Sequence, residues 1–310
     1  MNKIKIILDT DPGNDDILAI IMALKSQLID IRGMTIVGGN ASLENTTNNA
    51  LSLLTYMNRV EIPVYVGDPS ALNETLTSPE EFSEFKSHRI EIHGETGLHV
   101  PLPSPANEPE EMHAVDFIIS EAKANKGELV LVPIGPLTNI AMAIKKEPNL
   151  KGWVKRIHLM GGAVNVPGNV TEHAEFNIYC DPVAANEVMS SGIEIKLCGL
   201  DITRNTSVKR EETDWLNGNS PGEKVIRRLL DTVFKKIPDR NYFSLHDPIT
   251  VLSVLHPELI QWEMFNVSVI CNGPESGKTL GTVNAEGSVS VGVNIDQELA
   301  KIKIAEILSN

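Results

Sequence analysis

Short apolar runs alternate with longer amphipathic stretches along most of the chain. Ile4–Leu8, Ile31–Val37, Val64–Gly67, Glu128–Pro133, Ile157–Met160 and Ile193–Cys198 are rich in Ile, Leu and Val and short for helices, the pattern of strands covered on both faces. Between them, helices are predicted at Asp16–Leu24, about Glu44 to Met57, about Met112 to Ala124, Ile140–Lys146, and after Asp181-Pro182. Further on, Val225, Leu229, Val233 and Ile237 recur at helical spacing within 222–237, and Ile249–Leu255 follows as another helix. The chain closes with a hairpin from Met264–Cys271 into a strand at Thr279, a strand at Val289–Val293 and a helix at Gln297–Leu308. Strand, loop, helix, strand is the order of a parallel sheet, so the expected fold class is α/β, with a mostly parallel sheet flanked by helices. In such sheets ligands bind beyond the carboxyl ends of the strands.

Those strand ends carry the candidate chemistry. The densest is Asp9-Thr10-Asp11-Pro12-Gly13-Asn14-Asp15-Asp16, which places four carboxylates within eight residues. Asp9 and Asp11 share a face of the extended chain. Asp15 and Asp16 open a helix, whose dipole favours anions. The dipole does not account for the other two, and gathering these charges costs repulsion unless a cation neutralises them. Hard oxygen ligands favour Ca²⁺ or Mg²⁺. After the second strand, Gly38-Gly39 allows a sharp turn into Asn40, which is either an N-cap or a ligand-facing amide. At Ile134-Gly135-Pro136 the Ile134 carbonyl could be left free to face a ligand or cation.

A polar loop after Gly161-Gly162 contains Glu175 and Asn177, which in an extended chain face the same way, with Phe176 opposite. A carboxylate beside an amide suits sugar hydroxyls; the alternative is an exposed polar edge. Asp181 reads as an ordinary cap before Pro182. Asp247-Pro248 also fits a cap, yet His246 beside it brings an acid and an imidazole together at a helix mouth. His93 and His99 lie among glycines in a long Pro-, Ser- and Glu-rich segment, 68–110, as a lid, a pocket wall or surface residues. The histidines at 88, 113, 158, 173 and 256 read as structural.

Composition narrows the class. A chain of 310 residues, 42% hydrophobic, has ample core for one large α/β domain or two. A formal charge of −14 argues against nucleic acid or an anionic membrane as the main partner. Three scattered cysteines, Cys180, Cys198 and Cys271, make neither a disulfide framework nor a zinc site and read as buried thiols. The first apolar run is too short for a signal peptide and none approaches a membrane span, so a cytoplasmic protein is expected. Gly273-Pro274-Glu275-Ser276-Gly277-Lys278-Thr279 imitates a phosphate loop but has three residues between its glycines where four are needed.

The acidic stretch, with Val37-Gly38-Gly39-Asn40, Gly135-Pro136-Leu137-Thr138-Asn139, Met160-Gly161-Gly162, Glu175-Phe176-Asn177 and His246-Asp247-Pro248, resembles the inosine-uridine-preferring nucleoside hydrolase family. The resemblance runs from residue 4 to the final helix. It implies a single domain over 1–310 with a Rossmann-like core, bound Ca²⁺, and hydrolysis of ribonucleosides to ribose and free base. Asp11, Asp16 and Asp247 match metal-binding aspartates, and Ile134 matches a position that offers its carbonyl. Asp15, Asn40, Met160, Asn169, Glu175 and Asn177 match ribose-contacting positions. Asp9 matches a supporting position; with a cation lowering the pKa of bound water, Asp11 would need only to accept one proton. His246 matches a histidine that protonates the leaving base, and His93 matches one in a mobile loop near the base. Assembly as a homodimer or homotetramer is implied by resemblance alone.

Two other readings compete. A haloacid-dehalogenase-like phosphatase would use Asp9 or Asp11 as nucleophile with Mg²⁺, but Pro12-Gly13 stands where a Gly-Thr type turn belongs. A nucleoside-binding protein without catalysis would not need the full set of acids with His246 and Asn177. Phe234, Tyr242 and Phe243 are candidates to wall off the base, or belong to the core.

Overall fold

Strand β1 (Ile4–Thr10) runs through the interior and divides the hydrophobic core in two. Ile6 and Leu8 point to one face while Ile7 points to the other, and Val130 and Val132 alternate with Leu131 in the same way. The computed structural model describes residues 3–69, 90, 93–216, 219–237 and 241–309. Among these, β1 joins β2 (Ile29–Ile36), β3 (Val64–Val66), β4 (Val130–Pro133), β5 (Arg156–Met160), β6 (Ile195–Cys198) and, from the chain's end, β9 (Ile260–Val269), β10 (Thr279–Val283) and β11 (Val289–Ile295). The nine-stranded order is β3-β2-β1-β4-β5-β6-β11-β9-β10. All neighbours are parallel except β11 with β9 and β9 with β10.

Helices cover both faces. One core packs α1 (Asn14–Lys25), α2 (Leu43–Tyr56), α8 (Pro221–Lys236), α9 (His246–Leu255) and α10 (Gln297–Ser309) on the sheet; the other packs α3 (Ala114–Ala124), α4 (Thr138–Lys146) and α6 (Pro182–Met189). In the α/β class predicted from the hydrophobic pattern, the sheet is mostly parallel, as expected. After β1 the chain builds outward to β2 and β3, then returns to place β4 on β1's other side. That reversal opens a crevice at the carboxyl ends of β1 and β4.

Local readings change in several places. Glu175 and Asn177 do not lie on an extended edge: Glu175 is the N-cap of α5 (Phe176–Cys180), and Asn177 is inside that helix. Asn40 is not a cap, because Ser42 caps α2 by accepting from the Asn45 N–H. Asp247 is not a cap either, since α9 begins at His246 with Leu245 as its N-cap. Asp181 does cap α6, accepting from Ala184 N at 2.9 Å. Gly273–Gly277 lies in the turn between β9 and β10, with no helix following. Cys180 and Cys198 are buried as expected, but Cys271 is only partly so. The short α7 (Leu200–Thr203) and the ribbon of β7 (Ser207–Lys209) with β8 (Tyr242–Ser244) were not anticipated, because three or four residues carry no periodic signal. His88 lies outside the described residues. Among those residues no helix is long and apolar enough to cross a membrane.

Candidate active site

The strand ends at the crevice supply the acids. Asp9 is still within β1, and Asp11 follows it directly; both are fully buried. Asp15 and Asp16 lie in the first turn of α1, and α9 brings Asp247 to the same point. One carboxylate oxygen from each of Asp15, Asp16 and Asp247 falls within 4.8 Å of the others.

The neighbours are arranged to hold these anions. Asp16 accepts from Thr10 Oγ1 at 2.6 Å, from Gly13 N at 2.9 Å and from Asn40 Nδ2 at 2.9 Å. Asp11 Oδ2 accepts from Asn40 N at 2.7 Å, and Asn40 Nδ2 also reaches the Asp11 carbonyl at 3.1 Å. Asn40, the residue read as cap or ligand, thus ties two acids together, and it lines the cavity as well. Asp9 accepts from Thr35 and Asn139, so it braces the cluster from beneath.

The glycines have a spatial role. A Cβ on Gly39 would sit 2.1 Å from Asp11 Oδ2, and one on Gly135 would sit 2.5 Å from Asp11 Oδ1. Both sites must therefore be glycine for the Asp11 carboxylate to occupy its place, a stricter reason than turn flexibility.

Burial without a counter-charge is unfavourable for these groups. Desolvation, then the charge of Asp16, holds the Asp11 carboxyl well above the usual range. Desolvation, then the charges of Asp15, Asp16 and Asp11, does the same to Asp247, whose carboxyl hydrogen-bonds to Asp16. Burial pushes Asp9 up to about 7. Asp11 Oδ1 is buried with no hydrogen-bond partner. Clustered carboxyls with an unpartnered buried oxygen are the donor set of a hard divalent cation.

Above the acids lies a cavity of about 250 Å³, lined by Asp15, Asn40, His93, Ile134, Met160, Asn169, Glu175, Asn177, His246 and Asp247 among others. Ligand pockets are roughly 300–1,000 Å³, so this one suits a small metabolite rather than a polymer. The ribose, base and metal positions anticipated from sequence line it, except Asp11 and Asp16, which lie beneath, and Phe234, which is core.

Asn177 Nδ2 donates to the Ile134 carbonyl at 3.0 Å and the Met160 carbonyl at 3.2 Å. The Ile134 carbonyl is therefore not free; it keeps one lone pair. These bonds orient the Asn177 amide and leave its Oδ1 without an intramolecular donor among the described residues. Glu175 accepts from Gly162 N, Asn177 N and Ile178 N, and burial raises its carboxyl to about 7. Gly162 reaches that carboxylate with φ +82, a conformation that favours glycine. Asn169 Oδ1 accepts from Phe176 N at 3.0 Å, which folds its loop over α5.

The rim is more open and more aromatic. His93 stands 6.2 Å from the Phe176 ring, centroid to centroid. His246 Nδ1 contacts Thr203 Oγ1 at 2.9 Å. Tyr242 and Phe243 reach the cavity from β8, whereas Phe234 is core and its neighbour Val233 lines the wall. Asn14, Arg204 and Val170 also line it and were not singled out from sequence; for Asn14, its place among the acids was the available signal.

Across residues 6–302 the chain matches the sequence pattern of the inosine-uridine preferring nucleoside hydrolases. The chain belongs to that family. Membership makes it a nucleoside N-ribohydrolase and ends the phosphatase reading. Among named relatives, the pyrimidine-specific ribonucleoside hydrolase RihB of Escherichia coli O17:K52:H18 is 36% identical, over 96% of this chain and 95% of its own. In solved structures, a purine-preferring ribonucleoside hydrolase from Gardnerella vaginalis superposes with a TM-score of 0.89 at 34% identity, covering 98% of both chains. A plant nucleoside hydrolase gives 0.87 at 31% identity, again over 98% of both. The family's fold is therefore the fold of this chain.

Proposed function

We propose that this hydrolase cleaves the N-glycosidic bond of ribonucleosides of the inosine and uridine type, purine, pyrimidine or both, releasing ribose and free base. Ca²⁺ is the cation assigned to it, held by Asp11, Asp16, Asp247 and the remaining lone pair of the Ile134 carbonyl. Asp15 belongs to the same acid trio and also faces the cavity, so it stands between cation and sugar. The observation that carries this reading is the buried, unpartnered Asp11 Oδ1 beside three converging carboxylates.

A divalent cation held by these acids would neutralise their charge, offer Lewis-acid contacts to sugar hydroxyls and lower the pKa of water. The chain's own residues do the rest. Asp11 accepts the proton of the attacking water. Asn40 and Asn177 hold the ribose, and orientation of sugar and nucleophile supplies up to ~7–11 kcal/mol. As the bond to the base breaks, positive charge develops on the sugar, and Asn177 Oδ1 is placed to stabilise it. His246 gives a proton to the leaving base, an effect typically ~10²–10⁴-fold. Attack opposite the base implies inversion at the anomeric carbon.

The relatives favour different bases, pyrimidine for RihB and purine for the Gardnerella enzyme, so ranking is left to the assay. Ribose release from inosine, guanosine, adenosine, uridine, cytidine and deoxyinosine tests the reading. Release from the ribosides but not the deoxy compound is expected. No release from any of them with Ca²⁺ bound would overturn it. Calorimetric titration of chelator-treated protein with Ca²⁺ tests the cation separately, and absence of binding would overturn that assignment.

A further inference from the structure

Helix α7 and the residue that ends it, Leu200–Arg204, touch both halves of the site. Asp201 accepts two backbone N–H bonds from the start of the sugar-side loop, from Val164 at 2.9 Å and Asn165 at 2.8 Å. Arg204 donates to the Gly168 carbonyl at 2.7 Å, one residue before Asn169. Between them, fully buried Thr203 contacts His246 Nδ1 at 2.9 Å. The helix itself is anchored below, because Leu200 N donates to the Gly162 carbonyl at 2.8 Å and Gly162 N donates to Glu175.

We propose that this segment is a positioning element joining the two ends of the reaction: Thr203 sets the leaving-group histidine, while Asp201 and Arg204 set the sugar-side loop. An imidazole has two ring nitrogens, and a partner on one fixes the direction of the other. Thr203 on Nδ1 therefore aims Nε2, the atom that must meet the base. A hydroxyl can accept Nδ1–H as well as donate to the ring, so Thr203 can partner either tautomer of His246. Two bonds to one loop end and one at its middle restrain the backbone that carries Asn169. The inference rests on His246 acting as the acid.

The test compares two leaving groups, inosine, which needs a proton, and 4-nitrophenyl β-ribofuranoside, which does not. For Thr203→Val a loss of roughly tenfold or more in kcat on inosine is expected, the scale of one buried polar group left unpaired. KM should hold, the nitrophenyl riboside should be little affected, and Thr203→Ser should restore inosine turnover. For Arg204→Met, KM should rise by a similar factor for both substrates, with a smaller change in kcat. His246→Ala run alongside separates the two readings. If His246→Ala discriminates between the substrates but Thr203→Val does not, the role of Thr203 is overturned and the acid stands. If His246→Ala hurts both equally, the acid reading falls and takes the Thr203 assignment with it. Unchanged KM in Arg204→Met would overturn the loop half.

Discussion

The floor and the rim of the cavity are built differently. The floor comes from the ends of β1, β4 and β5 and the first turns of α1 and α9. Asp9, Asp11, Asp16 and Asp247 are buried, Asp9 and Asp16 are hydrogen-bonded across long stretches of sequence, and glycines clear the space around Asp11. The rim comes from loops and a short ribbon, where Tyr242 is half exposed. Rigid framework below and loops above suggest a division of labour. On the proposed reading, the floor would fix what every ribonucleoside shares, the ribose and the water, and the rim would meet what differs, the base.

The largest effect should follow from the floor's centre. If Asp11 takes the proton of the attacking water as proposed, Asp11→Asn removes that acceptor while keeping shape, and kcat should fall by roughly 10³-fold or more with every base alike. Retention of a tenth of wild-type turnover, or a loss confined to one base, would break the comparison. Gly135→Ala leaves every functional group in place but puts a methyl 2.5 Å from Asp11 Oδ1. Displacement on that scale should cost on the order of 10²-fold in kcat/KM, again for all bases. A fully active variant would mean that Asp11 is not held as tightly as its cradle implies.

At the rim, Tyr242→Ala should change KM by only a few-fold, and unequally for inosine and uridine, with kcat nearly intact. Equal changes for both would remove Tyr242 from base selection. The smallest effect on turnover should come from His158, buried on β5 with its Nδ1 2.7 Å from Ser253 on α9. Burial lowers its pKa to about 3 from 6.5, so between those values the unfolded chain binds the extra proton. Its contribution to stability is full above about pH 6.5 and is lost as pH falls toward 3. His158→Asn should flatten the acid side of the melting-temperature profile and leave kcat at pH 7 unchanged. An unaltered acid slope would show that this histidine does not titrate on unfolding.

The same contrast governs how much could be read before the fold was known. The strands and main helices follow from apolar periodicity, and the acid cluster stands out because like charges crowd one turn. Asp247 was found through its motif, but its turn into the cluster depends on α9 packing beside α1, which no local pattern encodes. Asn40 illustrates the limit: locally it resembles a cap, and only a contact with Asp16 across 24 residues gives it its role. Glu175 and Asn177 were assigned an extended backbone because a five-residue helix has too few turns to show a period. Arg204 and Thr203 left no trace, since a charged residue and a threonine after a short strand are unremarkable until loop and helix meet.

The sheet order has a consequence for how the chain acquires activity. The crevice between β1 and β4 is completed only when α9 arrives, so the acids that share it are separated by about three-quarters of the polypeptide. A chain still lacking its last quarter possesses the first aspartates and the glycine cradle but no Asp247 and no His246. Turnover therefore reports arrival of the whole architecture, and a truncated product of interrupted synthesis would be silent rather than weakly active.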